Sequence, residues 1–112
     1  MTKRAKVKAD DPIVIGAVDI PVKHSPHLDG YGAFTSMGEN GPYIEYSHLI
    51  PPELKSSTIF HEALHALSDL TGLDLTEKQV AELEHFLPRL IVDNWATFRP
   101  IFLKMNGGKP LT

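Results

Sequence analysis

Residues 61 to 65 read His-Glu-Ala-Leu-His within an apolar stretch. If that stretch is helical, His61 and His65 share one face, separated by about 6 Å of axial rise. Both can then reach one ion at the roughly 2.0–2.1 Å typical of zinc and imidazole nitrogen. Glu62 is turned by about 100° from His61 and stands beside such an ion instead of on it. A general base for a metal-activated water belongs there. The competing reading is a surface helix with two polar histidines. Phe60, Ala63, Leu64, Leu67 and Leu70 argue against it, because their helical spacing puts the histidine pair on the flank of a core-facing stripe.

A catalytic zinc takes three protein ligands and keeps one position for water, and the chain has no cysteine, so a third histidine or carboxylate is needed. Glu77 and Glu84 compete. In a tight helical hairpin turning near Asp74, mirror counting sets Glu84 opposite His65 and Glu77 opposite Thr71, so geometry alone prefers Glu84. A first-turn Glu77 also has an ordinary explanation as a partner of the helix dipole. Asp69, four residues past His65, is spaced either to hold a ligand imidazole or to face solvent. Tyr43, Tyr46, His48 and His85 are candidates by type for steadying an oxyanion. His24 and His27 flank Pro26 with no carboxylate at ligand spacing and read as loop residues.

The elements that must position these groups read as α+β. Ile13 to Val22 is a Val- and Ile-rich strand, followed by a loop over residues 23–30. Tyr31 to Met37 and Pro42 to His48 form a hairpin in which Asn40-Gly41 supplies positive φ angles. The second of these strands, Pro42 to Ser47, is either a sheet edge that can dock an extended peptide or a covered one. Pro51-Pro52 opens a helix that Gly72 ends near residue 71. Thr76 and Gln79 form a capping-box pattern opening a second helix, striped by Val80, Leu83, Leu87 and Ile91 and kinked or weakened at Pro88. The expected fold is a small three-stranded antiparallel sheet packed on two or three helices.

With 112 residues and 42% hydrophobic content, one core is the natural limit. We expect a single domain over residues 12–105, a flexible basic N-terminus over 1–11 and a flexible tail over 106–112. Lys3, Arg4, Lys6 and Lys8 make the start basic, yet a net charge of −3 does not favour a nucleic-acid partner. No signal peptide or membrane span is evident, which implies a cytoplasmic protein. Trp95, Phe98, Ile101, Phe102 and Met105 give the C-terminal segment enough apolar surface to pack on the domain or to pair two copies as a homodimer.

Ser57 to Leu67, then Gly72-Leu73 and Leu75-Thr76-Glu77-Lys78-Gln79-Val80, resemble small phage and prophage metallopeptidases of the ImmA/IrrE-like, gluzincin-like type. The resemblance extends more loosely over residues 13–98. It implies a minimal zincin-like fold and a Zn2+ ion held by His61, His65 and Glu77, favouring Glu77 over Glu84 as the third ligand. It implies Glu62 as the general base in hydrolysis of a protein or peptide substrate, in a bacterial or phage-infected cell. Larger members act on repressor proteins and carry further segments, so substrate identity does not transfer. The other reading of the same residues is a non-catalytic zinc-binding interaction module of phage or prophage origin.

Overall fold

In the computed structural model, which describes residues 10–111, the Val- and Ile-rich stretch from Ile13 to Val22 folds as two short strands instead of one, and a third strand starts at Val22 and takes up the first residues of the expected loop. Gly16, at φ 61°, reverses the chain between β1 (Ile13–Ile15) and β2 (Val18–Ile20), so that Ile15 pairs with Val18. Pro21 has no N–H to give to a ladder and separates β2 from β3 (Val22–Ser25). Its carbonyl still accepts from the Ile44 N–H at 2.9 Å.

The hairpin β4 (Gly32–Gly38) and β5 (Gly41–Ser47) falls within a residue or so of the expected strands. Its turn differs in detail: Gly41 takes φ 102°, whereas Asn40 keeps a negative φ. β5 lies between β3 and β4, antiparallel to β4 but parallel to β3, with Val22 opposite Ile44. The three-stranded sheet is therefore mixed, not antiparallel throughout, because the chain inserts β5 between the two strands that precede it. This also makes β5 a central strand and β4 an edge, the reverse of the peptide-docking edge considered from the sequence.

Ile20, Val22, Ile44 and Tyr46 form the sheet side of the core, with Ile20 and Ile44 fully buried. Helix α1 (Pro52–Thr71) covers them through Ala66, with Ile59 and Ala63 alongside. The expected stripe on α1 is shifted at its end: Ala66 is wholly buried and Leu70 is exposed. Asp10 joins the start of the chain to this unit. The Tyr46 hydroxyl donates to one carboxylate oxygen at 2.7 Å, and Lys55 Nζ donates to the other at 3.1 Å. The basic residues Lys3, Arg4, Lys6 and Lys8 lie outside the described residues.

Helix α2 (Glu77–Asp93) packs on α1 and runs through Pro88 without a break, although the proline ring withholds an N–H from the Glu84 carbonyl. Asn94 separates it from α3 (Trp95–Met105), which packs on α2. Trp95, Ile101 and Met105 remain exposed. No helix among the described residues is long and apolar enough to cross a membrane.

Candidate metal centre

The turn between α1 and α2 brings the two helices into register. Gly72, left-handed at φ 74°, closes α1 by donating to the Ser68 carbonyl at 3.0 Å. The Ser68 side chain, itself nearly buried, accepts from the Leu75 N–H at 2.7 Å. Asp74 takes φ 56° in between, a conformation that aspartate tolerates better than most residues. The Thr76 hydroxyl then accepts from the Gln79 N–H at 3.1 Å, and the Gln79 side chain accepts from the Thr76 N–H at 2.9 Å. This capping box makes Glu77 the first residue of α2, and Val80, one turn on, is fully buried.

With the turn so fixed, four polar atoms converge. His65 Nε2 lies 3.3 Å from His61 Nε2. One oxygen of Glu77 is 2.7 Å from His61 Nε2 and the other is 3.0 Å from His65 Nε2. Two donors on a tetrahedral ion at about 2.0–2.1 Å stand roughly 3.3–3.4 Å apart, so the imidazole spacing suits a zinc-sized cation. Ligand atoms from His61, His65 and Glu77 all fall within 4.8 Å of one another. Glu84 takes a different place: its carboxylate is 2.7 Å from Nδ1 of His61, on the other side of that ring. The two glutamates that competed in the sequence thus face opposite nitrogens of one imidazole.

Both nitrogens of His61 facing carboxylates requires a proton on each, or another cation in place of one proton. Burial pulls the His61 pKa down, but Glu84, Glu62 and Glu77 together raise it above the ordinary histidine value. For Glu77, burial is outweighed by His65 and His61, which hold its carboxyl below the usual range. Burial pushes the Glu62 carboxyl up, against the lowering pull of both histidines and of a main-chain hydrogen bond from Phe34. The site is an anion-rich pocket suited to a cation, with one desolvated carboxylate beside it.

A cleft of about 800 Å3 opens over this cluster. One wall is the β4 edge at Gly32, Ala33, Phe34 and Ser36, and among the described residues the charged side chains lining the cleft besides the histidines are all acidic: Glu62, Asp69, Asp74 and Glu77. At Gly32 the strand passes close to α1. A Cβ there would stand 2.5 Å from Thr58 Cγ2 and 3.4 Å from Glu62 Cγ.

The four residues suggested for an oxyanion do not line the cleft. Tyr46 is committed to Asp10, Tyr43 lies under Lys23 Nζ at 4.3 Å, His48 stands beside His24, and His85 packs on Phe86. Their residue types fitted the role, but strand alternation and helix phase turn them elsewhere. Asp69 lines the cleft, while the carboxylate at the back of an imidazole is Glu84. Ser68 escaped the sequence reading, since a serine inside a helical stripe carries no signal that it will anchor the next turn. Comparisons with protein-family models, curated proteins and solved structures return no match.

Proposed function

We propose that this chain is a zinc-dependent metallopeptidase that hydrolyses a peptide bond in a protein or peptide. The observation that carries the reading is the convergence of His61 Nε2, His65 Nε2 and the Glu77 carboxylate beside the half-buried Glu62, at the foot of a cleft. The resemblance to ImmA/IrrE-like enzymes supports it on the same residues. His61, His65 and Glu77 would hold the ion, and a zinc there would supply Lewis acidity toward water and a substrate carbonyl. Glu62 accepts the proton of the attacking water on its carboxylate and returns it to the departing amine. Its desolvated position raises its basicity for that task. The edge of β4, unpaired among the described residues, aligns an extended substrate through main-chain hydrogen bonds, without demanding a particular sequence.

The test joins binding to turnover. Zinc at about 100 times its Kd should stabilise the fold by about 2.7 kcal/mol, a rise of roughly 10–20 °C in Tm for a domain of this size. His65→Ala should abolish that rise. Incubated with a mixture of unfolded proteins, the zinc-loaded chain should generate new N-termini detectable by mass spectrometry, and Glu62→Gln should bind zinc while generating none. Equal cleavage by Glu62→Gln would remove the proposed base.

The exposed Phe86, Leu90, Val92, Trp95, Ile101 and Met105 on α2 and α3 favour a second reading, an interaction module with a structural zinc or a homodimer through these helices. A fourth protein ligand closing the ion off from water, with no cleavage by wild type, would select it.

A further inference from the structure

We infer that Glu84 is a positioning residue that holds His61 by its Nδ1 proton and thereby reserves Nε2 for the metal. The inference rests on the metal reading above. Glu77, Val80 and Glu84 are spaced i, i+3 and i+7 and so lie along one face of α2. Val80 is fully buried, so this face is the one turned inward, and the two carboxylates lie on either side of that anchor. Glu77 meets His61 at Nε2 and Glu84 meets it at Nδ1, each at 2.7 Å.

The two ring nitrogens point in different directions, so Glu84 cannot join the ion that Nε2 faces while it keeps this contact. What it does is select a tautomer. With a cation at Nε2 the imidazole carries one proton, and a carboxylate 2.7 Å from Nδ1 holds it there. The lone pair is then on Nε2, aimed at His65 Nε2 and Glu77. The contact also fixes the rotation of the ring about its own axis, which a lone helix residue would otherwise leave free. A carboxylate behind a ligand histidine strengthens metal binding in this way, and its removal typically weakens affinity by about 10–100-fold. Asp69, spaced for the same role toward His65, lines the open cleft, so α2 supplies to His61 what α1 does not supply to His65.

The experiment measures zinc affinity by competition with a chromophoric chelator for wild type, Glu84→Ala, Glu84→Gln and Glu82→Gln. Glu84→Ala should weaken zinc about 10–100-fold, and Glu84→Gln should fall between it and wild type, because the amide oxygen still accepts from Nδ1–H without the charge. Glu82, exposed two residues away, should have no effect. Nitrogen-15 correlation spectra of zinc-free Glu77→Ala, which leaves Glu84 as the carboxylate in contact with the His61 ring, supply a readout without metal at a pH where the ring is neutral. His61 should be the Nδ1–H tautomer in Glu77→Ala and shift toward Nε2–H when Glu84→Ala is added. Melting curves in chelator show whether each variant is folded, and Glu84→Gln preserves shape if the alanine does not fold. Wild type that binds no zinc overturns the metal reading and this inference with it. Wild type that binds zinc, with Glu84→Gln and Glu84→Ala binding equally well and the tautomer unchanged, overturns this inference alone.

Discussion

Ser68→Ala should damage the proposed metal centre from a distance, without removing any of its candidate ligands. Ser68 is 8% exposed, and its hydroxyl oxygen accepts from the Leu75 N–H at 2.7 Å across the α1–α2 turn. Alanine fits the same space but leaves that half-buried N–H without an acceptor, a loss of about 1–3 kcal/mol. For a domain of this size, each kcal/mol lowers Tm by about 4–8 °C, so a drop of roughly 5–20 °C is expected in chelator. Leu75 is two residues before Glu77, and the hydrogen bond fixes where α2 starts. If about 1.4 kcal/mol of turn ordering must then be supplied on binding, zinc affinity falls about tenfold. Asn94→Ala is the control. Its side chain donates to the Leu90 carbonyl at 2.8 Å at the far end of α2, so its loss should cost about 0.5–1.5 kcal/mol of stability and leave zinc affinity unchanged. Thermal melts in chelator and chelator competition, run on all three proteins, separate the two effects. A Ser68→Ala protein that is destabilised yet binds zinc like wild type would refute the reasoning that the turn places Glu77.

Gly32→Ala should destabilise the chain by about 1–3 kcal/mol by driving a methyl group against Thr58 Cγ2, and Thr58→Ser in the same molecule should restore most of the loss by removing that methyl. Denaturant titration of the single and double variants measures the coupling, and simple additivity would show that the strand and helix do not meet there. Acid stability should depend on Asp10. Burial acts to raise its pKa, but the Tyr46 hydroxyl and the Lys55 ammonium more than offset this and hold the carboxyl below its ordinary value. A pKa depressed on folding contributes stability that is complete above the unfolded value of about 3.9 and is lost as pH falls through the lower folded value. Asp10→Asn should therefore lose up to about 1 kcal/mol at pH 7, a modest figure because Lys55 is partly solvated, and should show a shallower decline than wild type below about pH 4. Parallel acid curves for the two proteins would exclude the Asp10 contact as a source of the pH dependence.

The parts of this fold legible in the sequence are those written in local rules. The capping box at Thr76 and Gln79 and the left-handed Gly72 are short-range geometry, and both stand where the residue types put them. The strands Gly32–Gly38 and Gly41–Ser47 were legible for the same reason. What was not legible depends on which element lies beside which. Nothing local in Val22–Ser25 states that it joins β5 in parallel, and that pairing alone decides that β4, not β5, is the sheet edge facing the cleft. The proximity of His61, His65 and a glutamate was foreseeable, but mirror counting preferred Glu84. It treated the hairpin as two flat ladders, whereas in the structure Glu77 reaches Nε2 and Glu84 reaches Nδ1.

The same pair of contacts ties the site to the stability of α2. Val80 is the one fully buried side chain of that helix, and Glu77 and Glu84 add polar contacts to His61 and His65 on α1. A single buried valine contributes only about 1.5–3 kcal/mol, less than the backbone entropy of ordering even a few residues. Two carboxylates gathered at one imidazole also repel each other unless positive charge stands between them. With a proton as that charge, the arrangement weakens as His61 loses it; a divalent ion at Nε2 does not leave in that way. Metal binding and docking of α2 on α1 should therefore be one event, with α2 gaining more protection from hydrogen exchange on adding zinc than the sheet does. Protection that rises equally in β5 and in α2 would mean instead that the helical hairpin is already complete without the ion.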